Sequence, residues 1–281
     1  MKRVLLIAAS LVAGVGAVAY PGLSNVLAER HGTAAIQAYA ESVAGLDPAT
    51  RQAGWQAAEE YNQSLTGQPV RDPFLAGTGM AYSDTYTQVL NIDGAMGYLD
   101  IPKIRVYLPI YHGTSEAVLH RGIGHLEGST LPVGGPSRHA VLSGHTGQSH
   151  AKLLTDLNEL DSGDQFYIHV LGEVLAYQVD RITVVAPEQT AELRRFAGQD
   201  LVTLVTCTPY GVNSHRLLVR GVRVAFEPAV HDAVTPVVTS AVDQAVRRAA
   251  GVTAGTMAAL VVVVLAARRR DRPTVARRAL R

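Results

Sequence analysis

Three residues of types used in acyl transfer stand at the ends of predicted strands. Cys207 is the chain's one cysteine, and it ends the β-rich run Thr-Leu-Val-Thr-Cys, just before the turn Thr-Pro-Tyr-Gly. His145 lies in Ser-Gly-His-Thr-Gly after another strand-like run, and Arg216 opens a third run, nine residues after Cys207. Because a thiol with a pKa of about 8.5 is mostly protonated at pH 7, a neighbouring imidazole or guanidinium assists its attack on a carbonyl. Since an arginine also hydrogen-bonds a developing oxyanion, the three residues suffice for acyl transfer.

The same residues also have ordinary structural interpretations. A lone cysteine in a β-rich protein is usually a small buried hydrophobic residue. His145 is one of ten histidines, and a histidine beside a glycine is common. Arg220 has the same strand parity as Arg216, so alternation along the strand does not choose between the two arginines. Spacing alone therefore leaves the catalytic interpretation open.

The sequence predicts neither a metal site nor a cofactor. A single cysteine excludes an intrachain disulfide, a Cys-x-x-Cys redox pair and a cysteine-rich zinc site. Seven of the other histidines lack a ligand spacing such as His-x-x-x-His, and we interpret these seven as ordinary surface or core residues. They are His112, His120, His125, His139, His150, His169 and His215.

Short β-rich runs, separated by Gly and Pro, position Cys207, His145 and Arg216. Eight such runs predict a mainly β barrel or sandwich. They cover residues 98–101, 104–110, 117–119, 139–143, 165–171, 174–185, 201–206 and 216–226. Residues 153–160 carry four leucines at helical spacing and predict one amphipathic helix, and Leu171-Gly172 predicts a tight hairpin with glycine first in the turn.

Helices and a long loop precede these strands. Residues 34–66 are predicted to be helical, with Asp47 as N-cap and Pro48 as the first residue of a second helix. Residues 67–96 are rich in Gly and Pro, and a loop of that length in a compact domain usually forms a lid or a linker.

The two ends of the chain suggest a membrane protein. A basic start, Lys2-Arg3, precedes an apolar run typical of a signal peptide or a retained anchor, and the sequence leaves both open. At the other end, 19 uncharged residues at 249–267 lie between arginine clusters, and as a helix they would span about 28 Å. The positive-inside rule puts the Arg-rich tail in the cytoplasm and the central part of the chain outside the cell.

The balance of charge excludes one class of partner. The chain has 281 residues, enough for one large or two small domains, with 25 Lys and Arg against 24 Asp and Glu. Seven arginines and one aspartate lie from Arg268 onward, so the rest of the chain is net acidic. No basic stripe remains for nucleic acid.

Two sequence blocks carry a resemblance to a known family. The run TLVTC with TPYGVNSHRLLVRG, and SGHTG upstream, resemble the signature blocks of sortases, the membrane-anchored cysteine transpeptidases of Gram-positive bacteria. The resemblance covers about residues 30–267. It implies an eight-stranded sortase β-barrel with Cys207 as nucleophile, His145 as acid/base and Arg216 as stabiliser of oxyanion and substrate.

Three features resemble the pilin-polymerising class C sortases in particular. Asp72-Pro73-Phe74 is similar to the Asp-Pro-aromatic motif of the class C lid, the TCTPYGVNSHRL block is in the class C style, and a C-terminal membrane helix is typical of that class. The resemblance implies that Asp72 pairs with Arg216 while Phe74 covers Cys207. An Asp-Pro pair that merely starts a turn is the ordinary alternative.

These expectations define a domain plan. It comprises a signal peptide or anchor at 1–29, N-terminal helices and lid at 30–96, the catalytic barrel at 97–230, a linker at 231–248, the transmembrane helix at 249–267 and the tail at 268–281.

The expected activity follows from the class C resemblance. It is cleavage of LPxTG-like pilin sorting signals and their transfer to a lysine of another pilin, by an enzyme held in the cell membrane with its catalytic domain outside. The expected partners are pilins, other LPxTG-type surface proteins and membrane lipid. Two alternatives are a housekeeping sortase that attaches surface proteins to the cell-wall precursor and a non-catalytic pilus assembly protein.

Overall fold

The computed structural model describes residues 2–65, 70–74, 83–147, 151–229 and 231, and the single positions 251 and 255. Four α-helices occur in these ranges: α1 (Lys2–Gly45), α2 (Pro48–Ser64), α3 (Asp84–Gln88) and α4 (Glu116–Leu119). Eight strands follow α3, with α4 between the second and third: β1 (Gly97–Ile101), β2 (Val106–His112), β3 (Ile123–His125), β4 (Arg138–Ser143), β5 (Gln165–Val170), β6 (Glu173–Val185), β7 (Asp200–Thr208) and β8 (His215–Val224).

The strands form one closed barrel in the order β1-β2-β3-β4-β7-β8-β6-β5. The prediction of a mainly β, eight-stranded barrel is thus confirmed. The pairs β2–β3 and β4–β7 are parallel, and the other neighbours are antiparallel. Because side chains alternate along a strand, β7 sends Val202 and Leu204 into the main core, while Val205 joins a smaller apolar cluster outside the barrel wall.

The break between the two long helices lies where the sequence predicts it, whereas α1 begins at Lys2, well before the predicted start at residue 34. Asp47 caps α2, and its carboxylate accepts hydrogen bonds from the backbone N–H groups of Ala49 and Thr50. In α1, the buried Tyr39 hydroxyl donates to the Met96 carbonyl at 3.0 Å and accepts from the Leu171 N–H at 2.9 Å. The C-terminal part of α1 is therefore tied to the barrel by a buried side chain.

Two sequence predictions of local structure are wrong. The run predicted as a strand at 117–119 belongs to α4, because the N–H groups of Val118 and Leu119 turn back to the Ser115 carbonyl. The third strand is β3 instead. The predicted leucine helix is reduced to a 3₁₀ turn, Leu157–Glu159, because Leu153 has a φ of 43°, outside the helical region.

The predicted hairpin between β5 and β6 is present with a different turn. Its two loop residues, Leu171 and Gly172, both have positive φ, so glycine occupies the second position of a type I′-like turn.

At the N-terminal end of the chain, the structure differs from the predicted domain plan. The predicted boundary between residues 29 and 30 falls inside α1, which continues unbroken to Gly45. Among the described residues, no helix combines the length and the hydropathy needed to cross a membrane. The linker beyond residue 231, the predicted transmembrane helix (positions 251 and 255 apart) and the Arg-rich tail lie outside the described residues.

Candidate active site

Three neighbouring strands bring Cys207, His145 and Arg216 to one end of the barrel. Cys207 lies next to the end of β7, directly opposite Arg216 at the start of the antiparallel β8. Since partners in register point to the same face of a sheet, thiol and guanidinium share the outer face of the barrel. His145 comes two residues after β4, whose last residue Ser143 pairs with Val205 of the parallel β7.

The turn that carries His145 is held to β7 by hydrogen bonds. The N–H of Gly144 donates to the Val205 carbonyl at 3.1 Å, and the Thr206 hydroxyl donates to the Gly144 carbonyl at 2.8 Å. A Cβ at position 144 would lie 2.9 Å from the side chain of Leu154, so only glycine fits there without a shift. The backbone before His145 is thereby fixed relative to the strand that carries Cys207.

Arg216 rather than Arg220 belongs to this site. Arg220 pairs with Thr203, four positions further down the ladder, and its guanidinium makes a two-point contact with Asp180 at 3.0 and 2.5 Å. Of the two arginines, Arg216 is the one that stands across from Cys207.

The guanidinium of Arg216 binds the carboxylate of Asp72 through two nitrogens. Nε donates to Oδ1 at 2.9 Å and Nη2 donates to Oδ2 at 2.8 Å. Asp72 is only 3% exposed and Arg216 only 7%, and Arg216 Nη1 also donates to the carbonyls of Asn213 and His215 at 3.1 Å. This is therefore a buried, two-point ion pair between segments 144 residues apart in the chain.

Phe74 lies between the histidine and the arginine. Its ring centroid is 5.7 Å from that of His145 and 5.2 Å from the Arg216 guanidinium carbon. The ring packs against the outer apolar cluster that includes Val205 and Leu218. Two residues of the segment 70–74 thus contact two of the three candidate catalytic residues.

The environment of Cys207 has opposing effects on its acidity. The thiol is half-buried, and burial raises its pKa. The positive charge of Arg216 lowers this pKa, whereas the negative charge of Asp72 raises it again. Burial, with a smaller contribution from Asp72, thus raises the pKa of the Cys207 thiol and favours its protonated, less nucleophilic form.

The sequence did not indicate two further side chains near His145. Glu116 Oε1 lies 3.4 Å from His145 Nε2 and 3.0 Å from His120 Nε2, and the rings of His120 and His145 are 5.6 Å apart. These three side chains also come close enough to hold a metal ion. Glu116 is the first residue of α4, and His120 follows its last residue. Because this element was predicted as a strand, the sequence did not predict that the two side chains approach His145.

Comparison with known proteins assigns the chain to a family. A family model for the sortase domain matches residues 99–224, which covers β1 through β8. The crystal structure of sortase C-1 from Streptococcus pneumoniae is 44% identical, with a TM-score of 0.66, over 68% of this chain and 98% of that chain. Sortase C1 of GBS pilus island 1 is 45% identical, with a TM-score of 0.64, over 70% of this chain and 93% of that chain.

A curated relative supports the assignment at lower similarity. Sortase D of Bacillus subtilis (strain 168) is 30% identical over 133 residues, which are 46% of this chain and 64% of the relative. The matched part spans 40–64% of the curated relatives' own lengths. Because the class C structures are matched over nearly their whole length, the chain belongs to the sortase family of cysteine transpeptidases.

Proposed function

We propose that this chain is a class C sortase that cleaves LPxTG-like pilin sorting signals and joins them to a lysine of another pilin subunit. The observation that carries the class is the buried Asp72–Arg216 ion pair, with Phe74 beside it, next to Cys207. A chain segment that engages the catalytic arginine in this way is the lid that the sequence resemblance implies. The neighbour from pilus island 1 and another S. pneumoniae sortase C, described for its pilin substrate specificity, support the same class.

In the proposed first half-reaction, the Cys207 thiolate attacks the carbonyl carbon of the signal's threonine. Arg216 stabilises the oxyanion, which requires Asp72 to leave first. His145 donates a proton to the leaving glycine amine, and a thioester remains on Cys207.

In the second half-reaction, a lysine amine of another pilin attacks the thioester. His145 accepts the proton of the amine, an isopeptide bond forms and the Cys207 thiolate is released. The energy of the acyl bond is conserved in the thioester, so the proposed reaction uses no cofactor.

A shallow cleft beside Arg216 is the proposed position of the sorting signal. Its lining comprises Asp72, Pro73, Val185, Pro187, Leu193 and Leu218. Asp72 and Pro73 form one wall, so their departure would widen the cleft next to the guanidinium. Its other walls are mostly apolar, which suits the leucine and proline of an LPxTG-type signal.

The proposed setting is the cell membrane, with the barrel outside the cell. The support is the sequence pattern at the two ends: the apolar run after Lys2-Arg3, and the 19 uncharged residues before the Arg-rich tail. In this arrangement the tail is cytoplasmic, and the substrates are membrane-held pilins.

The proposed chemistry predicts a covalent intermediate on Cys207. Full-length protein incubated with an LPxTG-type peptide should gain the mass of the acyl fragment. Cys207→Ala should lose both the adduct and peptide cleavage. His145→Ala and Arg216→Ala should each lose most activity. Proton transfer by a positioned side chain typically contributes about 10²–10⁴-fold, and one donor to an oxyanion about 10²–10³-fold.

Arg220→Ala is the matched control for Arg216→Ala, since Arg220 occupies the same strand face with its own aspartate partner. It should retain much of the cleavage activity. Cleavage by the Cys207→Ala protein would overturn the mechanism. Deletion of the gene separates class C from a housekeeping role, because only the former predicts loss of pilin ladders with cell-wall anchoring intact.

A further inference from the structure

Three metal-type side chains converge at the end of the barrel opposite Cys207. They are Asp100 of β1, His169 of β5 and His231, which follows β8. The strand β5 runs opposite to β7, so the ends of the two strands, with His169 and Cys207, lie at opposite ends of the barrel. This cluster is thus separate from the proposed active site.

The ligand atoms are spaced as a small cation requires. One nitrogen or oxygen from each of the three residues lies within 4.8 Å of the others, and Asp100 Oδ2 is 2.9 Å from His231 Nε2. Ligands at 2.0–2.1 Å from a tetrahedral Zn²⁺ are about 3.3 Å apart. A shift of a few tenths of an ångström would therefore place the carboxylate and the His231 imidazole on one metal ion.

One ring nitrogen of His169 makes no hydrogen bond among the described residues and is available to a metal. This atom, Nε2, is buried. A buried, unsatisfied polar atom destabilises the folded state, and a bound cation would remove that penalty.

Aromatic rings hold the two imidazoles in place. Tyr98 stacks on His169 with 4.2 Å between ring centroids and 9° between planes. Tyr167 meets the His231 ring edge-on at 4.8 Å. Asp100 is 5% exposed, so all three ligand-bearing side chains are packed by their surroundings, and little ordering remains to be done on binding.

We propose that Asp100, His169 and His231 form a site for a divalent transition-metal ion of the zinc class, which fastens the chain after β8 to the outer face of β1 and β5. Two imidazoles and one carboxylate are a set that suits Zn²⁺, with a water as fourth ligand. Because His231 follows the barrel, the metal fixes where the chain leaves it. No pattern in the sequence indicates this site, since its ligands come from three distant elements and share no spacing motif.

The test uses the full-length protein in detergent, carrying Cys207→Ala so that the thiol cannot bind the metal. After removal of metal with a chelator, the protein is titrated with Zn²⁺ in equilibrium dialysis and with Co²⁺ under visible spectroscopy. We expect one equivalent of Zn²⁺ bound at micromolar or lower concentration, and the absorption of tetrahedral Co²⁺. His231→Gln and His169→Gln should each weaken Zn²⁺ binding at least tenfold and remove the Co²⁺ absorption.

The matched control is His120→Gln, which removes a histidine from the cluster around His145. It should leave the equivalent bound by His231 intact. Unchanged Zn²⁺ affinity in His231→Gln, or loss of that equivalent in His120→Gln, would overturn the proposal. Zn²⁺ binding by the parent protein only at millimolar concentration would also overturn the proposal. In that case the contact between Asp100 and His231 would be a hydrogen bond and no more.

Thermal unfolding gives a second readout. At 100 times its Kd, Zn²⁺ should raise the Tm of the parent by roughly 5 °C or more. The His231→Gln protein should have a normal circular dichroism spectrum in chelator and should show no such rise. An equal rise in both proteins would contradict the proposed ligand set.

Discussion

At the scale of single residues, most of the hydrogen-bonding capacity of Arg216 is taken up by its own chain. Asp72 binds Nε and Nη2, while the carbonyls of Asn213 and His215 accept from Nη1. The Nε and Nη2 donors that face Asp72 become available to a substrate oxyanion only when the carboxylate departs. The residue that would stabilise the transition state is therefore also the one that fastens the segment 70–74.

The charge of Asp72 predicts an effect on the pKa of Cys207. Asp72 raises that pKa and Arg216 lowers it, so Asp72→Asn leaves the arginine charge unopposed and should lower the pKa of the thiol. Any increase in hydration of the thiol acts in the same direction. The measurement is the rate of alkylation by iodoacetamide between pH 6 and 10, whose midpoint should move to lower pH, with a severalfold faster reaction at pH 7.

Asp180→Asn is the control, because it removes an equally close carboxylate from Arg220, away from Cys207. Its pH profile should match that of the parent. A midpoint in Asp72→Asn that stays in place or moves to higher pH would contradict the electrostatic account.

The residue types of the site were predictable, whereas their surroundings were not. A cysteine at a strand end, a glycine-flanked histidine and an arginine at a strand start are local patterns. The choice of Arg216 over Arg220 required the β7–β8 register. The approach of Glu116 to His145 required the path of α4, which a short apolar run does not specify.

At the scale of elements, burial makes the contact of the segment 70–74 stronger than an exposed ion pair. An exposed pair contributes about 0–1 kcal/mol, whereas removal of one partner from a buried pair costs about 3–5 kcal/mol if the other charge stays buried. Opening of the segment would rehydrate both Asp72 and Arg216, so the net cost of opening is smaller. The packing of Phe74 on the outer cluster adds to it.

The double variant Asp72→Ala, Phe74→Ala should open the site. While the closed state of the segment dominates, each decrease of about 1.4 kcal/mol in the free energy of opening raises the open fraction tenfold. We expect modification of Cys207 and peptide cleavage to rise severalfold. The gain should be larger for a polymer-linked maleimide than for a small alkylating reagent, because the small reagent also reaches a partly covered thiol.

A pair of controls separates the lid from general loosening of the barrel. Asp180→Ala should leave both modification rates unchanged. The double variant should keep the parent's far-ultraviolet circular dichroism. Parent-like rates with both reagents in the double variant would mean that the segment does not cover the thiol, and the class C proposal would lose its main support.

Elements with strong local signals were predictable, and short ones were not. The cap of α2 is specified by Asp47-Pro48, and the long strands by their β-branched runs. The strand β3 has three residues, and its glycine-containing sequence is held in place by pairing with β2 and β4 rather than by propensity. The leucines at 153–160 have helical spacing because they are all buried, although the chain turns at Leu153.

At the scale of the whole molecule, buried histidines tie outer layers to the barrel. His125 accepts or donates through both ring nitrogens to Tyr86 and the Thr130 carbonyl, and His139 likewise contacts the Arg194 carbonyl and Thr203. Both side chains are 0% exposed. Burial lowers the pKa of each to about 4.

These two histidines predict a loss of stability in mild acid. Their pKa in the unfolded chain is about 6.5, so the unfolded state binds more protons than the folded state between about pH 6.5 and 4. The contribution of the two neutral histidines to the free energy of unfolding is fully present above pH 6.5 and is lost as the pH drops. By pH 5 the loss is on the order of 2 kcal/mol for each histidine. Urea unfolding of the full chain at pH 7 and 5 measures this.

His139→Gln tests the assignment, since glutamine does not titrate. The free energy of unfolding of this variant should fall less steeply as the pH drops. The slope corresponds to the number of protons taken up on unfolding, and that number should be smaller by about one. His215→Gln, an exposed control, should keep the parent's slope. A His139→Gln slope identical to that of the parent would show that His139 is not buried in its neutral form.

The proposed topology predicts which part of the chain a protease can reach. In intact protoplasts, added protease should remove residues 30–248 and spare a tag fused after Arg281. Lysis with detergent should expose the tag and serves as the control. Digestion of the tag in intact protoplasts would refute a cytoplasmic tail.

The Asp72–Arg216 contact also affects which substrates can compete for the site. Asp72 lies eight residues beyond the end of α2 at Ser64, so the segment behaves as a ligand tethered to its own binding site. Short tethers give effective concentrations in the millimolar range. A free peptide in dilute solution must outcompete that internal ligand, whereas a pilin confined to the same membrane reaches a comparable local concentration. The enzyme would then cleave soluble peptides that carry the same sorting signal more slowly than co-confined subunits, so its selectivity would depend on where the substrate is held as well as on the motif.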